Sequence, residues 1–117
     1  MTETILYGIK NCDTVKKARH WLDERQVSYR FHDVRTDGLD PQMIKRWIAA
    51  AGWEKVLNKV GTTWRKLDQT VKDHVSADNV VDLLMEYPAI IKRPVLDQNG
   101  TITVGFRPDQ YALLFNL

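Results

Sequence analysis

Cysteine is nearly missing from this chain: among 117 residues there is one, Cys12. A lone thiol cannot form an intrachain disulfide, which excludes the cross-linked frameworks of small secreted domains and suits a reducing compartment. Long apolar runs are missing as well. Nothing approaches the roughly 20 consecutive apolar residues that a membrane helix needs. The start, MTETILYG, lacks the basic opening, apolar stretch and small-residue cleavage site of a signal peptide, so a cytoplasmic location is expected. Neither sign of charge dominates. Seventeen Lys and Arg against fifteen Asp and Glu leave a formal charge of +2, and the basic residues are scattered. That balance disfavours a nucleic-acid surface, although a small anion needs only a few well-placed arginines. No Gly-rich phosphate loop and no Ser/His/Asp pattern occurs. His20, His32 and His74 lack metal-ligand spacing, and one cysteine cannot complete a zinc site, so no metal is expected and the three histidines are assigned to surface or packing.

The 44% apolar and 27% charged residues that are present suit one globular domain over residues 1–117. Thr4–Tyr7 reads as a buried strand ending at Gly8. Val15, Ala18, Trp21 and Leu22 then recur at helical spacing, predicting an amphipathic helix of about three turns that starts near Asp13. Residues 27–34, VSYRFHDV, alternate Val27, Tyr29, Phe31 and Asp33 against polar neighbours and predict a half-buried strand. Strand, helix, strand is the βαβ unit. Asp40 can cap a second helix with Pro41 at its first position, Met43, Ile44, Trp47, Ile48 and Ala51 on its apolar stripe, and Gly52 at its end. Helical pieces follow at 53–59, 65–75 and 78–87, separated by Gly61 and Ser76 and stopped by Pro88. Asn99-Gly100 between two apolar runs predicts a hairpin over 95–104, and PDQYALLF predicts a closing helix. The four tryptophans, Trp21, Trp47, Trp53 and Trp64, read as packing residues. The order is βαβ, a helical insertion at about 40–87, then ββα: an α/β, thioredoxin-like fold with a mixed sheet.

Cys12 falls between the first strand and the helix after it. The reactive form of cysteine is the thiolate, and a helix N-terminus favours it through unpaired N–H groups and the aligned peptide dipoles. Lys10 adds positive charge nearby, and Asp13 opposes it. Its neighbours Asn11, Asp13 and Thr14 are polar turn or cap residues, which argues against a purely apolar packing role. The position three beyond Cys12 holds Val15, so there is no Cys-x-x-Cys dithiol, and a redox cycle must borrow an external thiol such as glutathione, directly or through a glutaredoxin. His20 lies eight residues on, about 12 Å along a helix, too far to act as the base.

In this setting YGIKNCDTVKKA (7–18), GTTWRKL (61–67), IIKRPVL (90–96) and VGFRP (104–108) together resemble blocks of the ArsC/Spx family of thioredoxin-like proteins, which includes glutaredoxin-dependent arsenate reductases. The resemblance spans essentially the whole chain and is greatest to the small YffB-type branch, described as probable glutathione-dependent thiol reductases. It implies Cys12 as nucleophile, Arg93 and Arg107 as catalytic arginines and Pro94 as the fold's cis-proline, with Lys10, Asn11, Lys92 and Lys59 in the substrate or glutathione site. Lys92 and Arg93 would offer an open backbone edge on which a peptide or glutathione pairs as an added strand. Guanidinium groups bind tetrahedral oxyanions and stabilise a thiolate. Arsenate reductases use three such arginines. Here the third is replaced around Asn58, Lys59 and Val60, with Lys59 as the substitute point charge. The family's Asn-Pro pair and histidine before the nucleophile are replaced by Gly8, Ile9 and Lys10. The resemblance implies a glutathione-dependent thiol–disulfide oxidoreductase with glutathione as cosubstrate and no bound cofactor, acting on a small disulfide or oxyanion. Two alternatives are a glutaredoxin-dependent arsenate reductase and a redox-independent, Spx-like regulator that binds RNA polymerase.

Overall fold

The computed structural model describes residues 3–117. In chain order its elements are β1 (Thr4–Gly8), α1 (Asp13–Glu24), β2 (Arg30–Asp33), α2 (Pro41–Ala51), α3 (Trp53–Val56), α4 (Thr62–Lys66), α5 (Gln69–Asp73) and α6 (Val80–Glu86). A 3-10 turn (Pro88–Ile90), β3 (Val95–Gln98), β4 (Thr101–Val104) and α7 (Pro108–Leu114) complete it. Two compact units result: one joins the residues up to Gly38 with Arg93–Leu117, and the other is Leu39–Lys92. Among the described residues no helix is long and apolar enough to cross a membrane.

The first unit holds a four-stranded sheet in the order β2-β1-β3-β4. β1 runs parallel to β2, whereas β1 with β3 and β3 with β4 are antiparallel. This is the mixed sheet of the α/β, thioredoxin-like fold, βαβ followed by ββα. Gly8 pairs with Asp33, Tyr7 with Val95 and Val95 with Val104. One end of the sheet therefore gathers the chain leaving β1, β2 and β4 and the chain entering β3. Leu6, Ala18, Trp21, Leu22, Leu96 and Tyr111 form the core, with Phe31, Phe106 and Phe115 packed on it. Each fully buried aliphatic side chain there contributes about 1.5–3 kcal/mol. Tyr111 meets Phe106 edge-on at 4.7 Å and Trp21 edge-on at 5.7 Å.

β2 is shorter than the alternation over 27–34 predicts, and the end of α1 explains why. Gln26 takes a left-handed φ of 56°. The N–H of Val27 then donates to the Leu22 carbonyl at 3.0 Å and that of Gln26 to Asp23 at 3.1 Å. These are the two bonds of a Schellman cap, so Val27 closes the helix and cannot open the strand. His32, on the polar side of the predicted alternation, is buried with its ring 5.0 Å from Tyr7, and its Nε2 donates to the Gly38 carbonyl at 2.7 Å.

In the second unit the Asp40 carboxylate accepts from the Met43 N–H at 3.0 Å, Pro41 is the first helical residue, and Gly52 takes a positive φ of 91°. Of the predicted apolar stripe, Ile44 and Trp47 are fully buried, and Met43, Ile48 and Ala51 only half-buried. α2 packs against α3 and α6. The single helix predicted over 65–75 is instead two, α4 and α5, because Leu67 and Asp68 are extended, with ψ of 150° and 138°.

Candidate active site

The junction between β1 and α1 is built by close approach. Gly8 ends the strand against Val15, and Ile9 is buried beside it. The turn over Lys10 and Asn11 then delivers Cys12 to the N-cap position of α1, with extended φ and ψ of −108° and 124° and its carbonyl accepting from the Lys16 N–H at 2.9 Å. Cys12 is free and half-buried. Its partial burial pushes the thiol up, but the N–H of Val15, the Arg93 guanidinium through hydrogen bonding and charge, and the N–H of Thr14 together outweigh that and hold it below the ordinary thiol value.

Arg93 reaches this position because it lies two residues ahead of Val95, the first residue of β3, which pairs with Tyr7 of β1. The Arg93–Pro94 peptide is cis, and the Pro94 carbonyl accepts from the Gly105 N–H at 2.8 Å, tying the proline loop to the end of β4. Arg107 caps α7 at the same end of the sheet and is exposed. Among the cations named from the sequence, Arg93 is the one that bears directly on the sulfur.

Lys10, expected in the substrate or glutathione site, lies in the turn before Cys12. Its side chain is exposed, and its charge and its backbone N–H both act on the carboxylate of Asp33. Asn11 is exposed in the turn. Lys92 and Lys59 belong to the second unit. The Lys92 N–H, expected on an open edge, donates to the Val56 carbonyl at 2.7 Å, because Ile91 bridges Leu57 in a short antiparallel contact. The Lys59 ammonium lies 5.7 Å from the ring centre of Trp64, which is itself nearly buried. Among the described residues no cluster of His, Cys, Asp and Glu could hold a metal.

Sequence reasoning treated Asp33 only as an inward strand position. It is 4% exposed, and its Oδ1 accepts from the N–H of Arg35 at 2.8 Å and of Thr36 at 3.4 Å. The signal was there: an aspartate followed by polar turn residues is an Asx-turn pattern, whose carboxylate bonds the backbone two residues on.

The ArsC family model matches residues 7–114. The solved structure of a protein named YFFB is similar at 50% identity and a TM-score of 0.90, covering 94% of this chain and 96% of that one. An arsenate reductase related protein of Brucella melitensis is 44% identical with a TM-score of 0.78, covering 98% of this chain and 96% of that one. The global transcriptional regulator Spx of Streptococcus mutans is 26% identical over 107 residues, 90% of this chain and 77% of that protein. A match that runs from the last residues of β1 through the cysteine junction, the cis-proline block and α7 places the chain in the ArsC family.

Proposed function

We propose that this protein is a glutathione-dependent thiol–disulfide oxidoreductase that works with the single nucleophile Cys12. The observation that carries the reading is a half-buried sulfur whose ionised form is favoured by two helix N–H groups and Arg93. Membership of an arsenate reductase-like family supports thiol chemistry in general. In the first step the Cys12 thiolate attacks a disulfide sulfur, forming a mixed disulfide and expelling the other half as a thiolate. In the second, glutathione thiolate attacks that mixed disulfide, leaves with the substrate half as a new disulfide, and restores the Cys12 thiolate. One thiol suffices because glutathione supplies the second. Arg93 holds the thiolate at rest and after turnover, and Arg107 receives a substrate carboxylate or oxyanion. Pro94 shapes the docking edge.

The test is reduction of a small disulfide by glutathione, with Cys12→Ser in parallel. Turnover that vanishes with the sulfur supports the proposal, and equal rates in both proteins sink it. Arsenate reduction with glutaredoxin supplied is the companion assay for the alternative enzyme. Similarity to Spx favours a second reading, an interaction with RNA polymerase. Because Val15 removes the dithiol, such binding would survive Cys12→Ser, which a pull-down of polymerase subunits reads directly.

A further inference from the structure

We propose that the face of the second unit formed by α2, α5 and α6 docks a basic amphipathic helix, with apolar side chains seated in its grooves and Lys or Arg lying along its acidic row. Two grooves open on this face. The larger, of about 650 Å³, lies between α2 and α6 and has Pro41, Ile48, Ala49 and Val81 along its walls. The smaller, of about 200 Å³, lies between α6 and the stretch through α5, and Val71, Val75 and Leu83 line it. Asp82 borders both, so its carboxylate marks the ridge that separates them.

The ridge is acidic by helical register. The Asn79 side chain accepts from the Ser76 N–H at 2.9 Å, and the Val80 N–H donates to the Ser76 carbonyl at 3.0 Å, so the turn over residues 76–79 runs directly into α6. Asp78, Asp82 and Glu86 therefore recur at every fourth residue, about 6 Å apart on one side of the helix. All three are exposed. Among the described residues none of these carboxylates takes part in an ion pair or accepts a hydrogen bond. Lys45 is the one cation bordering either groove, and Lys72 of α5 is committed to the Arg65 carbonyl at 3.2 Å.

Charge and shape together select the occupant. The chain as a whole carries +2, so this row is a local reversal of sign rather than part of a generally acidic surface. Like charges four residues apart on a helix repel, and a cationic partner relieves that repulsion. The apolar walls gain only from apolar side chains. A small molecule fills one groove, whereas the row continues past Asp82 to Glu86 beside the other. An amphipathic helix meets both demands: apolar residues at i, i+3, i+4 and i+7 enter the grooves, and Lys or Arg repeating every fourth residue match the spacing of the row. Docking here needs no thiol chemistry, so it stands apart from the reaction proposed at Cys12.

The experiment measures binding of a fluorescently labelled helical peptide of about 15 residues, built of leucine on one face and lysine on the other. Two control peptides accompany it, one with glutamate in place of every lysine and one with the same composition scrambled so that no apolar face forms. Titrations use the full chain, Asp82→Lys, Ala49→Gln, which fills the larger groove at constant charge, and Glu54→Lys, which makes the same charge change on α3 away from the grooves. The leucine–lysine peptide should bind the wild type at least about tenfold more tightly than either control at about 0.15 M salt. Asp82→Lys and Ala49→Gln should each weaken it by about tenfold, and Glu54→Lys should leave it unchanged. Equal binding of the scrambled peptide, no binding at all, or a loss in Glu54→Lys as large as in Asp82→Lys overturns the proposal. Sedimentation of the wild type and Ala49→Gln covers the remaining occupant: self-association abolished by Ala49→Gln assigns the groove to a second copy of this chain and also overturns it. Should Asp82→Lys fail to fold, Asp78→Lys takes its place with the same expected loss.

Discussion

Gly8 lacks a side chain where one would not fit. A Cβ at that position would lie 2.8 Å from Cγ2 and 3.0 Å from Cγ1 of Val15, a fully buried and rotationally stiff residue. Gly8→Ala should therefore destabilise the fold by about 1–3 kcal/mol in chemical unfolding, with part recovered when Val15→Ala is added. Arg93→Ala should move the midpoint of Cys12 alkylation up toward the ordinary thiol range of about 8.5, and Arg93→Lys should restore part of the shift, since an ammonium keeps the charge but loses the fork. For Asp33, burial pushes the carboxyl up, but the N–H groups of Arg35, Thr36 and Lys10 and the charge of Lys10 pull it below its ordinary value. Its contribution to stability is thus complete above the ordinary aspartate range near pH 4 and is lost as pH falls through the lower, folded value. Unfolding curves taken at successive pH values should show a shallower acid limb in Asp33→Asn. Cys12 was legible at this scale because its neighbours in sequence are turn and cap residues. Asp33 was legible only as an Asx-turn pattern, which predicts its bonds to the following backbone but not its burial or the nearby charge of Lys10.

At the scale of elements, most boundaries follow from signals a few residues wide. Asp40 with Pro41 starts α2, and Asp40→Ala should lower stability by about 1 kcal/mol through the lost cap to Met43, read as a reduced urea midpoint at unchanged slope. Asn99 and Gly100 turn β3 into β4 with φ of 52° and 97°, the paired left-handed conformations of a tight hairpin. The helical stretch between β2 and β3 was less legible. Apolar spacing continues through Leu67 and Val71, but the extended backbone at Leu67 and Asp68 splits it into two short helices. Short helices have little intrinsic stability, so their ends are decided by packing rather than by spacing. β2 lost its first residues for a related reason: the helix cap used the Val27 N–H before a ladder could.

For the molecule as a whole, one thiol in 117 residues sets the stoichiometry of any oxidation. Exposure to oxidised glutathione should add at most one glutathionyl group per chain, removable by excess thiol, and Cys12→Ser should add none. A mass spectrum before and after reduction checks both outcomes. The sequence by itself determined the order of strands and helices, the location of the thiol at a strand–helix junction and the hairpin, since each is encoded by residues adjacent in the chain, whereas the cis-proline was implied by the family resemblance. Only the tertiary structure decided that Arg93 faces the sulfur and that Lys10 is engaged with Asp33. Those pairings join segments far apart along the chain, and strand register, which sets them, arises only when β1 finds β2 and β3.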